Sequence, residues 1–178
     1  MNVPDASKPD AGKPDGGKPD ISKSVTVPVP PEEAFRLFTE QPGQWLPPAH
    51  TFLRDPVLIA MEPMAGGRFY ERGADGAEIT RGTILDWAPP GRLVVTWRIG
   101  PGWRPVFDDE RAARIEFEFR PAGPGEDATE VVATYTQLHR TGEMAAPLRA
   151  AIEAGDPGES LQRFADLAAG HGAAGDAA

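Results

Sequence analysis

The stretch VTVPVPPEEAFRLFT (25–39) joins two kinds of secondary structure. Its first half continues an alternation of apolar and small polar residues that is typical of a β-strand. Pro28 cannot donate to a sheet, so the strand should end there or lie at an edge. Pro31 suits the first position of a helix. We therefore predict a strand, a sharp corner, and an amphipathic helix whose Phe35 and Phe38 wedge against one end of a sheet.

Composition excludes several classes of protein. The chain has 178 residues, no cysteine and a net charge of −9, with a pI near 4.8. Without cysteine it forms no disulfide and uses no thiol, and without a basic patch it does not suit nucleic acid. It has neither an apolar run long enough to cross a bilayer nor a signal-peptide pattern at its start. We expect a cytoplasmic protein with no nucleic-acid or membrane partner.

The chain divides into one domain and two tails. Residues 1–20 repeat DASKP, DAGKP and DGGKP, which cannot bury enough apolar surface to offset the entropy of ordering. We predict a disordered tail there, a folded domain over 21–170, and a second disordered tail over 171–178.

Six strand-like runs follow the first helix, separated by Gly, Pro and Asp-Gly turns. They cover 55–63, 66–72, 78–90, 92–100, 113–121 and 129–140. The spacing of apolar residues then predicts a last helix over 158–169 and a shorter one over 143–154. The fold class is α+β: a curved antiparallel sheet of six to seven strands, two short helices after strand 1, and a long C-terminal helix that leaves a cavity above the sheet.

This order of elements resembles the START-like helix-grip superfamily. The closest resemblance is to the SRPBCC group that contains bacterial homologues of the activator of the 90-kDa heat-shock chaperone ATPase. The residues that carry it include VPVPPEEAFRLFTE (27–40), GGRFYER (66–72) and RGTILDWAPPGRLVVTWR (81–98). The resemblance implies a hydrophobic cavity between the sheet and the final helix. The superfamily includes lipid carriers, polyketide cyclases and chaperone-linked modules, so the fold does not choose one chemistry.

Two charged residues have the apolar parity of their strands. Glu71 shares a face with Phe69, and Arg81 shares one with Thr83, Leu85 and Trp87. If both point inward, they must pair with each other or hold a polar ligand group, because a buried unpaired charge is costly. A bulge at Gly73 or Gly82 would instead turn one of them to solvent.

The remaining candidates are aromatic. We predict a ligand-binding wall with Glu71 and Arg81 as its polar anchors, formed by Phe69, Trp87, Trp97, Phe117, Tyr135 and Phe164. Tyr135 is either a general acid or a core residue. Trp45 could also line a cavity, and Trp103 could lie at its rim. The three histidines lack metal-ligand spacing, and we predict neither a metal nor a cofactor.

These residues and what the resemblance implies lead to three hypotheses for the function. The first is non-catalytic binding of a small hydrophobic or aromatic molecule in an internal cavity. The second is a cyclase or hydrolase that uses an acid or base in that cavity. The third is an interaction module with a chaperone as its partner, for which a filled core and an exposed apolar patch would be expected.

Overall fold

A strand that ends at the corner around Pro28 begins the domain. The computed structural model describes residues 18–155 and 157–175. Strand β1 (Ile21–Val27) ends directly before Pro28, and helix α1 (Pro31–Glu40) begins at Pro31. The Thr129 hydroxyl donates a hydrogen bond of 2.7 Å to the Val29 carbonyl between them, which satisfies a backbone acceptor where the strand ladder stops.

The sheet has seven antiparallel strands, which confirms the predicted number of six to seven. Its strand order is β1-β9-β8-β5-β4-β3-β2. Its other strands are β2 (Leu58–Met61), β3 (Arg68–Arg72), β4 (Glu78–Ala88), β5 (Arg92–Trp97), β8 (Ala113–Ala122) and β9 (Ala128–Thr136). After β5 the chain forms a separate two-stranded ribbon, β6 (Ile99–Gly100) with β7 (Arg104–Pro105). Strand β1 pairs with β9, so the first and last strands of the domain are neighbours in the sheet.

In the described part of the chain, three more α-helices complete the domain. Helix α2 (Pro42–Trp45) follows α1, and α3 (Ala145–Ala154) and α4 (Ser160–Gly175) follow β9. Helix α4 is longer than predicted, and the position at which we expected the second tail to start, residue 171, lies within it. Among the described residues, no helix is both long and apolar enough to cross a membrane.

The predicted first tail lies almost wholly outside the described residues. Its last part is described from Lys18, and the Pro19 carbonyl accepts a hydrogen bond of 3.0 Å from the Arg149 guanidinium of α3. The start of the domain is therefore in contact with the helices that follow the sheet.

Aromatic residues hold α1 against the sheet and α4. Phe35 meets Phe119 of β8 with ring centroids 5.2 Å apart. Phe38 stacks on Trp45 at 4.2 Å and meets Phe164 of α4 edge to face at 5.1 Å. Such pairs contribute about 0.5–1.5 kcal/mol beyond the area they bury. The corner thus fixes the helices at one end of the sheet, as the sequence predicts.

Strand β4 departs from simple alternation at two bulges. Phe69 pairs with Gly82 and Tyr70 pairs with Thr80, so Arg81 is an extra residue without a partner in β3. A second irregularity lies between Ile84 and Asp86. The prediction that Thr83 and Leu85 share the face of Arg81 is therefore wrong: Ile84 is fully buried, whereas Leu85 is 36% exposed. Each bulge shifts the side-chain register by one residue.

Candidate functional site

Two connected cavities lie between the sheet and the helices. The inner cavity has a volume of about 80 Å³ and is lined mostly by aromatic and aliphatic side chains, and its lining residues include members of α1, α2, seven strands and α4. The outer cleft has a volume of about 600 Å³ and opens between α3 and the β6–β7 ribbon. Six residues line both: His50, Phe52, Arg81, Trp97, Ile99 and Pro157. The outer cleft is within the size range of small-molecule sites, and the inner cavity is its apolar end.

Arg81 lies where the two cavities join. The bulge turns its side chain inward, leaving the residue 9% exposed. The next residue, Gly82, permits close packing of β4 on β5, because a Cβ there would lie 2.3 Å from the Thr96 carbonyl oxygen. The guanidinium carbon lies 4.8 Å from the centre of the Phe52 ring and 5.3 Å from that of Phe69. Arg81 is thus a cation held between aromatic faces.

Glu71 is the ionic partner of Arg81. It is fully buried, and its carboxylate accepts a short hydrogen bond from Nη1 of Arg81. It also accepts backbone hydrogen bonds of 2.9 and 3.0 Å from Phe52 and 2.7 Å from Leu53. The structure therefore brings the two predicted anchors together. The pair fastens the loop before β2 to the sheet, because Nη1 of Arg81 also donates to the His50 carbonyl at 2.8 Å.

Within the part of the chain that the structure describes, the buried Nε–H of Arg81 has no hydrogen-bond acceptor. Burial lowers the pKa of Arg81, and the attraction and hydrogen bond of Glu71 oppose that effect. The guanidinium remains protonated, since arginine does not lose its proton in proteins. Among the described residues, Nε of Arg81 and Oε1 of Gln137 are the buried side-chain polar atoms without a hydrogen-bond partner. Because Arg81 lines both cavities, a ligand there would lie beside this guanidinium.

Some of the predicted site residues line the inner cavity and others do not. Phe69, Trp97, Phe117 and Tyr135 line the inner cavity together with Arg81. Glu71 and Phe164 are not among the lining residues: Glu71 lies behind Arg81, and Phe164 is fully buried in the core against Phe38.

Trp87 lies elsewhere. It packs edge to face on Phe35 at 5.3 Å and lines a separate surface groove with Pro89 and Pro90. It follows Arg81 by six residues along β4, which corresponds to about 20 Å of extended strand. Trp87 therefore does not share the cavity with the other predicted wall residues.

Several lining residues are absent from the predicted wall. His50 and Phe52 come from the proline-rich loop before β2, and Pro157, Ser160 and Leu161 come from the start of α4. The loop has no periodic pattern that could have placed its side chains. Trp45, which we considered as a cavity residue, lines the inner cavity. Trp103, which we considered as a rim residue, lines the outer cleft. Among the described residues, no cluster of histidine and acidic side chains could hold a metal ion.

Residues 28–161 match the family model of the activator of Hsp90 ATPase homolog 1-like proteins. The chain belongs to this family. No curated protein matches it. The match covers the corner, the whole seven-stranded sheet after β1 and the start of α4. Together with the similar structures, it indicates a helix-grip domain that binds a ligand in a hydrophobic cavity.

Three solved structures illustrate the likeness. The chain is 43% identical to an anthrahydroquino-gamma-pyrone synthase, Txn09, with a TM-score of 0.58, over 84% of this chain and 96% of that one. It is 29% identical to the self-sacrificing resistance protein CalC from Micromonospora echinospora, with a TM-score of 0.62, over 87% and 97%. A protein from Nitrosomonas europaea, NE0264, shares the fold at 19% identity, with a TM-score of 0.56, over 83% and 92%.

Proposed function

We propose that the protein is a ring-closing enzyme that binds an oxygen-bearing aromatic molecule of the polyketide type. The observation that carries this proposal is Arg81, a buried cation with an unpartnered Nε–H in an otherwise largely apolar cavity. The 43% identity to a gamma-pyrone synthase, across almost the whole of that chain, supports closure of an oxygen heterocycle as the reaction.

Arg81 suits the charge that such a closure develops. When a phenolic oxygen adds to the carbon β to a conjugated carbonyl, a C–O bond forms and the π electron pair moves to the carbonyl oxygen. A prepositioned donor in a water-poor site stabilises that oxyanion far better than water does. The ion pair with Glu71 and the hydrogen bond to the His50 carbonyl fix the guanidinium before the substrate arrives.

His50 is the proton carrier in this proposal. His50 lines both cavities, as Arg81 does. An imidazole can accept and return a proton near neutral pH. The phenolic proton goes to the imidazole as the C–O bond forms, and it returns to the carbon α to the carbonyl as the enolate collapses. Substrate and product are isomers, so the step balances without a co-reactant.

The test uses a 1-hydroxyanthraquinone that carries an enone at carbon 2, whose closure to a dihydropyranone is followed by absorbance. We expect the protein to accelerate closure, and Arg81→Lys to lower the rate about 100-fold, because lysine keeps the charge beside Glu71 but lacks Nε–H. Arg98→Lys is the matched control, since Arg98 is equally buried but lines neither cavity. An unchanged rate in Arg81→Lys would contradict the role given to Arg81.

Non-catalytic binding of the same class of molecule is the second candidate, favoured by the likeness to a resistance protein. Saturable binding of the probe without closure above the rate in buffer would select it. Absence of binding would contradict both candidates. A chaperone-binding module is the weaker hypothesis, because the domain encloses a cavity beside its core.

A further inference from the structure

The two cavities differ too much in size to hold equal parts of a ligand. An engineered apolar cavity of about 150 Å³ takes one benzene, and the inner cavity, at about 80 Å³, has room for at most the end of one ring. The outer cleft is several times larger, at about 600 Å³. A molecule with several fused rings can therefore insert only one end, and the rest of it must occupy the outer cleft.

The outer cleft has walls that suit a flat molecule. Its part of α3 presents Ala151, Ala154 and Gly155, which carry no long side chains. The β6–β7 ribbon contributes Trp103, which is 56% exposed. A smooth wall and a large aromatic ring, on two different elements of one cleft, favour a planar aromatic ligand over a branched or strongly charged one.

Trp103 is also held in an unusual conformation. Gly102 and Trp103 have φ angles of +68° and +59°, so two consecutive residues adopt left-handed geometry. A bulky residue rarely adopts positive φ, and where it does the conformation is concentrated at binding and active sites. Here it turns a large apolar ring outward at the mouth of a cleft, where core packing gives no reason for it.

We propose that the outer cleft is a second binding subsite, in which Trp103 packs against the distal rings of an elongated fused-ring ligand while the reacting end lies at Arg81. The inference rests on the proposed function and adds to it the shape of the substrate. The substrate has at least three fused rings in a row. The oxygen that Arg81 binds lies near one end of the molecule, because Arg81 stands where the two cavities meet.

The test compares two probes by isothermal titration calorimetry: 1-hydroxynaphthalene, with two rings, and 1-hydroxyanthraquinone, with three. We expect Trp103→Ala to weaken binding of the three-ring probe about ten-fold and to leave the two-ring probe within two-fold, because the proposal places the third ring, which the two-ring probe lacks, against Trp103. Phe107→Ala is the matched control: Phe107 is 63% exposed in the same segment and lines neither cavity.

Each other outcome has a defined meaning. Equal effects of Trp103→Ala on both probes, or no effect on either, would overturn the second subsite. Binding of the two-ring probe alone by the unmodified protein would also overturn it and would leave the role of Arg81 standing. Failure of both probes to bind the unmodified protein would overturn the proposed function together with the subsite.

Discussion

Two arginines in neighbouring parts of the sheet, Arg81 and Arg98, are each 9% exposed and each pair with a carboxylate. Arg98 donates from Nε to Asp109 at 2.8 Å and from Nη2 to the Thr83 hydroxyl at 2.9 Å. Asp109 in turn accepts from the hydroxyls of Thr83 at 2.7 Å and Thr96 at 3.0 Å. Glu71, the partner of Arg81, is more deeply buried than Asp109, the partner of Arg98. Even so, Nε of Arg81 has no hydrogen bond to the residues described, whereas Nε of Arg98 does.

This difference in hydrogen bonding indicates that the Arg98 pair has a structural role and that the Arg81 pair has a role in binding. The Arg98 cluster closes on itself and fastens the segment around Asp109 to β4 and β5. The Arg81 pair is closed on the Glu71 side, but the Nε–H of Arg81 has no acceptor among the described residues, and Arg81 lines both cavities. Buried polar groups are normally satisfied, so an unfinished donor beside a cavity indicates a place for a ligand oxygen.

The largest effect is expected on removing the charge of Glu71. We expect Glu71→Gln to lower the free energy of unfolding by about 3 kcal/mol or more, because Arg81 would remain buried with its counter-charge gone. Chemical denaturation measures this change. Glu118→Gln, which breaks the exposed pair of Glu118 with Arg120, is the control and should leave stability unchanged.

The double variant Glu71→Leu/Arg81→Met separates the effect of the Glu71–Arg81 pair on stability from its effect on binding. Replacing both members of a buried pair by apolar residues is often neutral or stabilising. We expect the double variant to be more stable than Glu71→Gln but to have lost affinity for 1-hydroxyanthraquinone. A double variant that still binds this probe as tightly as the unmodified protein would contradict a binding role for the pair.

A smaller effect is expected at Asp109. Burial acts to raise the pKa of this carboxyl, but hydrogen bonds from Arg98, Thr83 and Thr96 outweigh it and hold the pKa below its usual value. A depressed folded pKa stabilises the protein above the unfolded value of about 3.9, and this contribution is lost as pH falls through the folded pKa.

Asp109→Asn should therefore cost about 1 kcal/mol at pH 7, and the difference from the unmodified protein should shrink as pH falls below about 4. Denaturation at a series of pH values checks this. Affinity for the two-ring probe, 1-hydroxynaphthalene, should stay the same, because Asp109 lines neither cavity. A stability difference that is constant from pH 7 to pH 2 would contradict the assignment.

The sequence predicts the fold better than the site, for reasons visible at particular residues. Pro28, Pro31 and the paired phenylalanines define the corner locally, and the alternation in β5 and β8 gives the apolar face of the sheet. Gly82 indicates a possible bulge next to Arg81, but whether that bulge turns Arg81 inward or outward depends on how β4 pairs with its neighbours, and no local pattern indicates the bulge at Leu85. His50 and Phe52 reach the cavity because Glu71 binds the loop that carries them, a tertiary contact 18–19 residues away in the chain.

The most direct test of a binding role for Arg81 is the NMR signal of its Nε–H. In ¹⁵N-labelled protein, the Arg81 and Arg98 signals are assigned from the Arg81→Lys and Arg98→Lys variants, and 1-hydroxyanthraquinone is titrated to saturation. We predict that the Arg81 Nε–H resonance shifts as its proton is donated to a ligand oxygen, whereas that of Arg98, already bound to Asp109, does not. A saturated complex in which the Arg81 signal has not moved would contradict the account.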